Sequence, residues 1–201
     1  MRLLTLYLRS RRAPAALLGA AGGTALMWAL WSILSDSRSA GPQMVVLTVL
    51  LLVVALTATL GGPDDALEAT SAFSWVPRRA VHLLVAFLVV VALVLVTLLT
   101  GARFGPAGLV VRDAAGLLGL TALGAATAGV ARSWFVPLGW TLTAALFPQA
   151  ETLAGRVLTW QAQEPGSTAA AVTAGALAVS GLIAYAMTGP LRGAPAEATQ
   201  Q

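Results

Sequence analysis

Residues 81–100 read VHLLVAFLVVVALVLVTLLT, from Val81 to Thr100, and no charged side chain interrupts them. Twenty residues in a helix rise about 30 Å, the thickness of the hydrocarbon core of a bilayer. This stretch is a membrane helix, and the chain on either side repeats its pattern. Met44 to Leu60 is another charge-free run dense in Leu and Val, and Ala15 to Leu34, with Trp28 and Trp31, is a third. On the C-terminal side follow Ala114 to Val130, Trp134 to Phe147 and Ala169 to Met187, the last ending at the helix stop Gly189-Pro190. The expectation is an all-α integral membrane protein of six spans, with residues 1–201 forming one polytopic domain. The run from Trp134 to Phe147 contains Pro137 and is bounded by Pro148. Its length also fits a re-entrant or broken segment, so whether it crosses fully is open.

Composition agrees with a membrane setting. Hydrophobic residues make up 58% of the chain and charged residues 10%, with a mean hydropathy of +0.83, where a soluble domain is roughly one quarter charged. All 12 basic residues are Arg and none is Lys, so the pI of 11.0 reports a net charge of only +4 scattered over several loops. A nucleic-acid surface needs a clustered basic patch, and this chain has none. Without Cys there are no disulfides or thiolate sites, and without Lys there is no phosphate-binding P-loop, so any ATP-driven work needs a second polypeptide. Intramembrane enzymes and proton-coupled carriers carry ionisable residues at bilayer depth, and the six runs hold no Asp, Glu, Lys or Arg. The single His, His82, sits at the start of its span as an interfacial polar group. No catalytic, cofactor or metal site is expected.

Six crossings place both termini on one side. With the N-terminus inside, the inner segments hold Arg2, Arg9, Arg11, Arg12, Arg78, Arg79, Arg132 and Arg192, against Arg38, Arg103, Arg112 and Arg156 outside. The positive-inside rule then gives cytoplasmic termini in a plasma (cell inner) membrane, with the segment around Trp160 external. Arg9, Arg11 and Arg12 ahead of the first run would also suit a signal peptide, but Arg38 spoils the cleavage site and more spans follow. On a helix, Leu3, Leu4, Tyr7 and Leu8 oppose Arg2, Thr5, Arg9 and Arg12, which reads as an interfacial helix over residues 1–12. A frayed basic tail is the other reading. Gln149 to Thr168, amphipathic at Leu153, Val157, Leu158 and Trp160, reads as one short helix on the interface. Small residues recur at four-residue spacing, which favours close helix packing: Ala15, Gly19 and Gly23; Thr121, Ala125 and Gly129; Ala176, Ser180 and Ala184. The second and third runs lack such stripes and are expected to face lipid.

The loop between the second and third runs is the distinctive one: Gly61-Gly62-Pro63-Asp64-Asp65-Ala66-Leu67-Glu68-Ala69-Thr70-Ser71-Ala72-Phe73-Ser74-Trp75-Val76-Pro77-Arg78-Arg79. Gly and Pro stop one helix, and Asp65 with Glu68 three residues on forms a capping-box-like start for another, from Ala66 to about Phe73. Pro77 disfavours helix at Val76, and Arg78 and Arg79 anchor the next span at the headgroups. The short helix carries Asp64, Asp65 and Glu68 beside Leu67, Phe73 and Trp75. A docking surface and a plain topological loop both fit these residues.

This layout resembles an ABC-2-type transporter permease subunit, and residues 63–82 resemble the corresponding loop of small actinobacterial ABC exporter permeases. The resemblance covers nearly the whole chain in layout, but only these twenty residues carry specific detail. It implies that the loop helix is a coupling helix docking on a separate cytoplasmic P-loop ATPase, that a second permease subunit, the same or a paralogue, completes the path, and that transport is export. The positions concerned are Asp65, Leu67, Glu68, Phe73, Arg78 and Arg79. A non-transporting membrane scaffold or assembly subunit is the alternative from a different class.

Overall fold

The computed structural model describes residues 13–61, 75–147 and 152–191. The expected interfacial helix over residues 1–12 and the loop helix from Ala66 to Phe73 lie outside these. Among the described residues there are seven α-helices: α1 Ala13–Leu34, α2 Pro42–Thr57, α3 Trp75–Val96, α4 Ala107–Ala128, α5 Phe135–Leu146, α6 Leu153–Leu158 and α7 Thr168–Thr188. Two-residue strands, β1 Ser39–Ala40 and β2 Arg103–Phe104, form one short parallel bridge between the α1–α2 and α3–α4 connections.

Among the described residues four helices, not six, are long and apolar enough to cross a bilayer: α1, α3 with its terminal 3-10 turn to Leu99, α4 and α7, of 22, 25, 22 and 21 residues. At 1.5 Å per residue the 16 residues of α2 rise about 24 Å and the 12 of α5 about 18 Å, short of the roughly 30 Å core. The sequence runs at these places include the turn residues Ala58 to Leu60 and the bend at Phe147, which are apolar without being helical. The four long helices make this a multi-pass membrane protein.

Hydrogen bonds sort the connections into two ends. At one, Arg103 N donates to Arg38 O (2.7 Å), Trp28 Nε1 to Thr100 Oγ1 (2.9 Å) and Phe104 N to Thr97 Oγ1 (3.2 Å); we call this the Ala40 end. At the other, the Leu60 end, Tyr185 Oη donates to Leu60 O (2.7 Å) and Leu191 N to Ala125 O (2.8 Å). Although short, α2 leads from one end to the other.

The buried axis is α4. Its whole length from Leu109 to Ala125 is wrapped by α2, α3, α5 and α7. The expectation that the second run faces lipid fails: Val45, Val49, Leu52 and Val53 of α2 are fully buried against α1 and α4. Leu and Val suit a protein interior as well as lipid, so composition alone does not separate the two. On α3 the outer face, Val81, Leu84, Val85 and Leu88, is exposed, as lipid contact requires.

The tightest packing in the bundle joins α4 and α7. A Cβ on Gly119 would lie 2.3 Å from Leu177 O, and one on Gly181 would lie 2.2 Å from Gly119 O. The two backbones touch because neither residue has a side chain. The expected stripe on α7 misses this face, since Ala176 and Ser180 are exposed, while Ala170, Ala174 and Gly181 are buried. On α1 the buried face is Ala16, Ala20 and Thr24 rather than Ala15 and Gly19, and Gly23 does meet Leu51 of α2. Gly119→Ala or Gly181→Ala is expected to cost about 2–3 kcal/mol, because rigid backbone rather than a side chain must move. Gly175→Ala, one to two turns away on α7 with nothing within 4 Å, is expected to be neutral. Thermal unfolding of the three variants in detergent checks the contrast.

Candidate functional site

The described residues that flank the loop singled out by sequence, Gly61 and Trp75, both lie at the Leu60 end. Asp65, Leu67, Glu68 and Phe73 lie outside the described residues; Arg78 and Arg79 are inside them, in the first five residues of α3. The described helix already includes Trp75 and Val76, so Pro77 does not exclude Val76 from it. Proline is tolerated in a first turn, where its missing N–H has no helical partner to lose. Neighbouring positions on a helix point about 100° apart, and the two arginines diverge accordingly. Arg78 is exposed, its guanidinium 5.0 Å from the Trp75 ring centroid in a cation–π contact.

Arg79 turns inward and is buried. Its Nη1 lies 3.5 Å from Ala186 O, and its guanidinium packs on Gly189, where a Cβ would meet Arg79 Cζ at 2.5 Å. Gly189 terminates α7 at φ +72°, a conformation that suits glycine. The cation thus sits at the carboxyl end of α7, where carbonyls lack helical partners and the helix dipole is negative. Beside it, fully buried Tyr185 reaches Leu60 O, and His82 Nε2 lies 3.0 Å from Thr59 Oγ1. His82 is thus a tie between α3 and the end of α2. Both stems of the 62–74 loop, residues 59–61 and 75–82, are tied into the bundle at this end, the incoming stem by Tyr185 of α7 and by His82, the outgoing one by Arg79.

A second constellation lies near the Ala40 end. Reading charge-free runs places Arg112 in an external loop and starts the span at Ala114. The structure overturns this: Pro106 opens α4 before Ala107, so Arg112 and Asp113 fall in its second turn, buried inside the helix bundle. The expectation that no ionisable residue lies within a span is overturned with it. Arg112 Nε donates to Asp113 Oδ1 at 3.0 Å, Nη1 to the carbonyls of Gln163 (3.1 Å) and Glu164 (3.0 Å), and Nη2 to Gln161 O at 3.2 Å. Asp113 Oδ2 is sealed from solvent with no partner among the described residues. The pair is neutral overall, and its donors hold the α6–α7 connection onto α4. Pro106, with apolar Leu109 to Val111 between it and the pair, is the signal in the sequence for a longer helix.

The same connection corrects the reading of residues 149–168. Among the described residues between Thr152 and Ser167 the α-helix is Leu153–Leu158, capped by Thr152 accepting from Gly155 N, and Trp160 leaves the surface altogether. Its ring is fully buried against Gly116 of α4, where a Cβ would lie 2.4 Å away. Gln161 Nε2 donates to Thr141 Oγ1 (3.1 Å) and Trp140 Nε1 to Leu158 O (3.0 Å), which fastens α5 to the same segment. A third feature is a groove of about 410 Å³ between α3, α4 and α7, walled by Leu83, Phe87, Leu118 and Leu182. Among the described residues no three His, Cys, Asp or Glu side chains converge as metal ligands would. Comparisons with protein-family models, with curated proteins and with solved structures give no match.

Proposed function

We propose that the chain is the permease half of an ATP-driven ABC exporter in the plasma membrane, powered by a separate P-loop ATPase docking on residues 63–80 and paired with a second permease subunit. The observation that carries this reading is the fastening of both stems of the 62–74 loop. Tyr185 to Leu60, His82 to Thr59 and Arg79 to the end of α7 link α2, α3 and α7. A push on the loop from the cytoplasm therefore reaches three helices at once. The apolar groove between α3, α4 and α7 opens beside them and supports a hydrophobic or amphipathic substrate.

The reading requires the Leu60 end to be cytoplasmic. With Arg112 withdrawn into α4, the loop arginines near the Ala40 end are Arg38, Arg103 and Arg156, while Arg78, Arg79 and Arg132 lie near the Leu60 end, together with the arginine-rich N-terminal segment in sequence. The chain has no Cys, so Glu68→Cys and Arg103→Cys each give a single thiol. In intact cells an impermeant maleimide is expected to label position 103 and not position 68, with the reverse in inverted vesicles. Labelling of position 68 from outside contradicts the proposal.

A further inference from the structure

A second cavity, of about 380 Å³, lies between α2, α5 and the 3-10 turn Trp160–Ala162. That volume is within the range of small-molecule sites. Its walls differ in character. Val46, Ala144 and Phe147 are apolar, whereas Gln43, Thr141 and Gln161 are polar, and no charged side chain among the described residues lines it.

Gln161 is the informative residue. It is only 3% exposed, and its backbone is fixed by Arg112 Nη2 at its carbonyl. Its side-chain Nε2 donates to Thr141 Oγ1, whose own proton goes to Pro137 O at 2.8 Å. Gln161 Oε1 accepts no hydrogen bond among the described residues, yet it is not one of the sealed polar atoms. Gln161 thus lines the cavity with an amide whose oxygen is accessible and accepts no hydrogen bond among the described residues. A ligand that brings a donor to this acceptor gains a hydrogen bond in a largely apolar setting.

We infer that this cavity binds a neutral amphiphile with a hydroxyl head: the O–H donates to Gln161 Oε1 and the aliphatic part lies along Val46, Ala144 and Phe147. Among the described residues a charged head finds no counter-charge here, since the Arg112 guanidinium is matched by Asp113 and its Nη donors are directed at three carbonyls. A pure hydrocarbon leaves the Gln161 acceptor unmet. Arg112 is a positioning residue for this site, because it holds the Gln161 backbone. The inference does not depend on the transport reading and is tested without an ATPase.

The test is photolabelling of the full-length chain in detergent with 1-octanol carrying a diazirine, adducts being mapped by mass spectrometry. Saturable labelling is expected within residues 43–47 and 141–147, competed by excess octanol. Gln161→Leu is expected to weaken competition about five-fold, the loss of one hydrogen bond. Ala144→Phe, which fills the cavity without touching the Arg112 network, is expected to abolish it. Both variants are first checked for wild-type elution on size exclusion. Labelling there that octanol does not compete, that survives Ala144→Phe, or that a diazirine-bearing octane reproduces equally overturns the inference.

Discussion

Arg112→Ala is expected to lower stability by about 3–5 kcal/mol, the cost of removing one partner from a buried charge pair. Two losses combine. Asp113 is fully buried, and without the guanidinium its carboxylate has neither counter-charge nor donor. The carbonyls of Gln161, Gln163 and Glu164 lose their donors at the same time, so the α6–α7 connection is released from α4. In thermal unfolding followed by tryptophan fluorescence, the midpoint is expected to fall on the order of 10 °C. Arg112→Met combined with Asp113→Leu removes both charges and leaves only the carbonyls unserved, so it is expected to recover more than half of the loss. A single variant that melts with the wild type would show that the pair does not hold the connection.

How far this arrangement is legible in the sequence depends on the kind of signal. Charge-free length locates α1 and α7 within two residues, because the membrane imposes a single requirement on both, whereas α3 is already helical six residues before its run, across Arg78 and Arg79. The same criterion hides the start of α4. It ends a helix at the first charge, while Arg112 and Asp113 cancel one another inside the bundle and cost the helix little. Trp160 misleads for a related reason. An aromatic between two spans reads as an interfacial anchor, and only the absence of a side chain at Gly116, 44 residues earlier, makes room for it inside.

Helix faces are harder still. In a chain this rich in Ala and Gly, small residues occur on every face, so four-residue spacing selects Ala176 and Ser180 as readily as Ala170 and Ala174. The contact that decides is the pairing of Gly119 with Gly181, a relation between two helices that neither shows alone. Crossing length is legible only where hydropathy and helix coincide. For α2 and α5 the apolar runs outlast the helices, giving an expectation of six spans where four helices have the length.

The claim that the 62–74 loop transmits work to α2, α3 and α7 is tested most directly by Leu67→Ala combined with Glu68→Ala. Loss of a helix-capping contact costs about 0.5–2 kcal/mol, which insertion and expression should survive. Loss of a coupling contact has a different consequence: the complex assembles, but substrate no longer accelerates ATP hydrolysis. The measurement is substrate-stimulated hydrolysis by the double variant and by wild type, each purified with an ATPase subunit that co-assembles with the chain. Stimulation is expected to vanish in an intact, correctly inserted complex of the double variant. Undiminished stimulation in that complex contradicts the coupling role and leaves the loop as a topological connection.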